Sequence, residues 1–86
     1  MWPFKKKQKY NISYIAYIIL AYGMHNRIMS IDKREELGGR LDKIWFSFSE
    51  REQKIISDII IDVNASGINT QNISQVIDYL QKNYPA

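Results

Sequence analysis

Cysteine is absent from this 86-residue chain and histidine occurs once. The first absence excludes disulfide staples, thiolate nucleophiles and every cysteine-bearing metal site. The second leaves little for acid–base chemistry: His25 has no obvious carboxylate or hydroxyl partner at helical spacing and reads as a favourable cap interaction near a helix C-terminus rather than a base. Four glycines and two prolines give few turns. The one glycine pair, Gly38-Gly39, lacks the strand and GK[ST] element of a phosphate loop. Asp58 and Asp62 stand four apart, but two carboxylates fall short of the roughly six to eight oxygens that calcium takes. No metal, no cofactor and no catalytic residue is expected, and the chain reads as a non-enzyme.

Long hydrophobic runs are also missing. The segment Ile12–Met24 follows a basic leader and imitates a signal peptide, with Ala21-Tyr22-Gly23 as a small-x-small site. Ser13, Tyr14, Tyr17 and Tyr22 interrupt it, however. Thirteen helical residues also reach only about 20 Å, against a hydrocarbon core of about 30 Å. The expectation is no cleaved signal and no membrane span.

Charge of one sign is scarce outside the leader. The formal net charge is +3, from twelve basic and nine acidic residues. Lys5, Lys6, Lys7 and Lys9 supply four of the positive charges. Residues 10–86 therefore hold eight basic and nine acidic side chains, a balance of about −1. A phosphate-gripping domain spreads Lys and Arg over a face of its fold, so this distribution does not point to nucleic acid. The leader 1–9 is instead a candidate contact with a membrane surface or an anion. Trp2 and Phe4 suit the headgroup region, and the four lysines suit anionic lipid. Isoleucine, lysine, asparagine and tyrosine dominate the composition. Their A/T-rich codons suggest a low-GC bacterium, a phage or another mobile element.

At 45% apolar and 24% charged, the rest is a single globular domain over 10–86, small enough to hide only about 60% of its unfolded surface. Four stretches carry helical periods. Ile12, Ile15, Ala16, Ile19, Leu20 and Gly23 share one side of a helix over 11–27, with Asn11 as N-cap. Asp32 and Glu35 form a capping box opening a helix over 32–46, whose apolar line is Leu37, Leu41, Ile44 and Phe48. Gly38-Gly39 either breaks that helix or is tolerated because a neighbour passes close by. Ser49-Glu50-Arg51-Glu52 is a second capping box, followed by Ile55, Ile56, Ile59, Ile60 and Val63 over 49–64. Gly67 ends it. A last helix over 70–83 lines up Ile73, Val76, Ile77 and Leu80. Short connections make this an all-α bundle of four helices; a strand at 55–63 would make it α+β instead.

The third and fourth stretches resemble helix-turn-helix DNA-binding units. Phe48-Ser49-Glu50-Arg51-Glu52 followed by Ile55-Ile56 is similar to the opening of some bacterial members, over about a third of the chain. The resemblance implies a recognition helix presenting Gln71, Gln75, Asp78 and Lys82. That helix has one lysine and no arginine to seat it on phosphates.

The strongest signal is the first helix. Opposite Ile12/Ile15/Ile19 it carries Tyr10, Tyr14, Tyr17 and Ala21, with Ile18 at the edge, and no charge lies between Lys9 and Arg27. A helix apolar all round must be enclosed by something. Tyr10, Tyr14, Tyr17, Ile18 and Ala21, extended by Trp45 and Phe46, are therefore the expected interface with another protein or a second copy. The alternative is a central helix whose tyrosines sit at the bundle rim. The leading function is a small non-enzymatic module of inhibitor, immunity or regulatory type, occluding or bridging a partner. A cytoplasmic location is expected, at the inner face of a membrane if the leader binds lipid. A peripheral membrane protein and a helix-turn-helix DNA binder are the alternatives.

Overall fold

The computed structural model describes residues 9–86. The readings placed on Trp2, Phe4, Lys5, Lys6 and Lys7 lie outside those residues. Four helices follow in order: α1 (Ile12–His25), α2 (Ile31–Ser47), α3 (Glu50–Ala65) and α4 (Ile73–Asn83). No strand occurs among the described residues, and the fold is all-α.

The caps explain where each helix begins. Asn11 caps α1, its side chain accepting from the Ser13 N–H at 2.8 Å. Asn26 ends α1 earlier than the sequence suggests, because its side-chain amide is held by the Thr70 carbonyl at 2.9 Å. At α2 the expected Asp32/Glu35 box is replaced by Ser30, whose hydroxyl accepts from the Lys33 N–H at 3.3 Å. Asp32 then lies inside the first turn, where its charge favours the helix dipole.

At α3 the Ser49/Glu52 box forms in both directions, at 3.2 and 3.0 Å. That box commits 55–63 to helix despite its β-branched side chains, and the α+β alternative falls. Gly67, at φ +86°, takes the left-handed turn after α3. α4 starts at Ile73 rather than 70, because Asn69 is spent on the preceding turn. Its Oδ1 accepts from the Gln71 N–H at 3.0 Å, and its own N–H donates to Gln75 Oε1 at 3.1 Å. Asn72 becomes the cap.

Ile15, Ile18, Ile56, Ile59, Val63, Val76 and Leu80 form the buried core. Each fully buried side chain of this kind stabilises by about 1.5–3 kcal/mol. They come from α1, α3 and α4 alone; α2 contributes no buried residue. α1 is the central helix, touching all three others. α2 runs unbroken through Gly38-Gly39, and a Cβ at either glycine would meet nothing within 4 Å. Close approach of a neighbour is therefore not what the pair is for.

The face of α1 that turns inward overlaps only in part with the one its aliphatic spacing suggests. Ile12 is 69% exposed and Leu20 54%, and Ala16 is exposed too. Ile15, on the expected side, is buried and Ile19 packs against the core, but Ile18 is buried with them and Tyr14, Tyr17 and Tyr22 pack alongside. An aromatic ring hides more apolar area than an isoleucine, and its hydroxyl need not be stranded. Tyr14 donates to Glu52 at 2.8 Å and Tyr22 to Asn64 at 2.6 Å. Tyr17 lies against Trp45 and Phe48, with centroids 5.6 and 6.1 Å apart. These rings hold α3 and the end of α2 against α1.

Candidate functional site

Turning the rings inward leaves an apolar strip of α1 outside, and α2 covers it only in part. Between them lies a groove of about 910 Å³. Ile19, Leu20, Gly23 and Met24 of α1 form one wall, and Leu37, Leu41 and Ile44 of α2 the other. Met29 closes the loop end, and Ile73 with Asn72 and Gln71 brings in the start of α4. The Leu37/Leu41/Ile44 line, read from spacing as core, is only half-buried. Exposed apolar groups continue along the α1–α2 connection, with Ile28 wholly exposed and Ile31 76% exposed. The charged residues among the lining are Arg27 and Arg40, without a carboxylate.

The seven residues expected to form an interface are distributed otherwise. Ile18 is fully buried, and Tyr10, Tyr14, Tyr17 and Trp45 are half-buried against the core cluster. Ala21 is half-buried as well, leaving Phe46, at 75%, as the one exposed member. The tyrosine rings are thus shared between solvent and their contacts with α2, α3 and the C-terminal turn. Sequence reasoning missed the groove residues because Leu20 and Leu41 carry the same spacing as a core stripe. The available signal was the unbroken lack of charge on α1, which demanded cover on both sides.

Of the remaining candidates, Asp62 and Glu52 are tied into the fold. Asp62 accepts from both Tyr79, at 2.8 Å, and Tyr84. Those two hydroxyls, Tyr84 first, hold its carboxyl below the usual aspartate range. Asp58, exposed, faces Lys54 at 3.6 Å. No group of three or more metal-ligating side chains occurs among the described residues. Glu52 is held below its ordinary range by the Ser49 backbone N–H and then by Tyr14. His25 is exposed at a small polar hollow with Tyr22, Asn26, Thr70 and Gln71.

The helix-turn-helix likeness is stretched by seven residues between α3 and α4, where that motif uses a turn of about three or four. Gln71 falls in this connection rather than on α4. Among the described residues, no helix is long and apolar enough to cross a membrane. No family model, curated protein or solved structure matches the chain.

Proposed function

We propose that this chain is a small protein-binding module of inhibitory or regulatory type, and that its docking surface is the α1–α2 groove. One observation carries the reading. A helix without charge from Ile12 to His25 keeps its aliphatic edge outside, facing an α2 that buries nothing of its own. Large apolar patches on small proteins mark contact sites. Covering this one converts half-exposed Leu20, Leu37, Leu41 and Ile44 into interface core at about 25 cal/mol per Å² hidden. The mode of action is steric: the module occludes or bridges its partner and performs no chemistry.

The experiment replaces one residue on each wall. Leu20→Ser and Leu41→Ser should retain the helical circular dichroism of the parent while the protein that co-purifies from the source cells is lost. If the partner stays bound to both variants, the groove is not the docking surface.

A further inference from the structure

Resting on that reading, we infer that the occupant of the groove is an amphipathic helix of a partner protein whose apolar stripe is flanked by carboxylates. Length supports a helix. Ile19 to Met24 spans about 7.5 Å of α1 and Leu37 to Ile44 about 10.5 Å of α2 at 1.5 Å per residue. The longer wall is two turns, the footprint of apolar anchors at i, i+4 and i+7 laid into a groove.

Charge selects the flanks. Arg27 and Arg40 are the charged residues of the lining. Arg27 forms no ion pair among the described residues, and Arg40 has only an exposed i,i+4 contact with Glu36 at 3.1 Å. Such a contact is worth a few tenths of a kcal/mol and exchanges readily for an incoming carboxylate. Asn26, Gln71 and Asn72 add neutral polar groups at the same end.

A second copy fits less well. Away from the groove and its loop, large exposed apolar residues sit singly, as Ile12, Phe46 and Ile61 do. α1 contains no acidic residue to meet the two arginines. An enclosed small molecule fits less well too, because such ligands are mostly hidden by their sites, whereas Leu20 leaves this wall 54% exposed.

A phage-displayed library of random peptides, each long enough for three helical turns, tests this on the full chain. The enriched peptides should carry apolar residues at i, i+4 and i+7 with Asp or Glu beside them. Their affinity should fall about tenfold on Arg27→Glu with Arg40→Glu and vanish on Leu41→Ser or Leu20→Ser. Peptides that need Leu41 but are neutral or basic, or that ignore the arginine changes, overturn the acidic helix and leave the groove standing as a docking surface. Enrichment independent of Leu20 and Leu41, or none at all, overturns both. Self-association in sedimentation equilibrium that Leu41→Ser abolishes replaces the partner helix with a second copy.

Discussion

Tyr10 sets its ring edge against Tyr84, with centroids 5.1 Å apart and planes at 74°. The Tyr10 N–H also donates to the Pro85 carbonyl at 2.9 Å. The approach to α1 and the exit from α4 are thereby joined, and the Tyr84 hydroxyl anchors the junction to Asp62 on α3. Tyr84→Ala removes both ring contact and hydrogen bond and should cost about 2 kcal/mol in urea unfolding. Tyr84→Phe keeps the ring and should cost about half of that. Equal losses would mean that the ring contributes nothing.

Stability should form a plateau across neutral pH and fall on both sides. Asp62 and Glu52 have depressed folded-state values, so their contribution is present above the ordinary carboxylate range and is lost as pH drops below about 4. Tyr84 is raised by burial and then by Asp62, and Tyr17 and Tyr22 by burial. Raised groups stabilise below their ordinary value and lose that contribution as pH climbs past about 10. Thermal melts from pH 2 to 11 should show both limbs, and Asp62→Asn should flatten the acid one.

Gly38 and Gly39 lie in unbroken helix with open space where a Cβ would stand. Gly38→Ala and Gly39→Ala should each raise stability by about 1 kcal/mol by restricting the unfolded chain. A loss of stability in denaturant melts would show that α2 needs its glycines.

The orientation of α1 is tested by two isoleucines about 120° apart around the helix. Ile18 is fully buried and Ile12 is 69% exposed. Ile18→Ala should cost about 2–5 kcal/mol, whereas Ile12→Ala should stay within about 0.5. Similar costs at both positions would contradict the inward turn of the tyrosines.

Local signals were legible where one side chain satisfied one backbone donor. Asn11, the Ser49/Glu52 box and Gly67 act as their types dictate. Ser30 and Asn72 were hidden behind neighbours of equal capping propensity, and at α4 the cap fell to Asn72 because a turn had already used Asn69. The side of α1 facing inward was not legible. Without a polar face, nothing within the helix breaks the tie between isoleucines and tyrosines. The choice is made by Trp45 and Phe48, more than twenty residues further along, which stack on the rings. The groove was obscured for the same reason, since a half-covered stripe and a fully covered one are written identically.

The Tyr10–Pro85 junction also fixes how the molecule presents itself when tethered. Gly23, on the groove wall, lies eleven residues along α1 from its first residue Ile12, about 16 Å of helix away. A carrier attached beyond Pro85 would leave beside the N-terminal end of α1, at the opposite pole from Arg27. Immobilised by that pole, the protein would keep its tether clear of the α1 wall of the cleft, which comes from the C-terminal half of that helix.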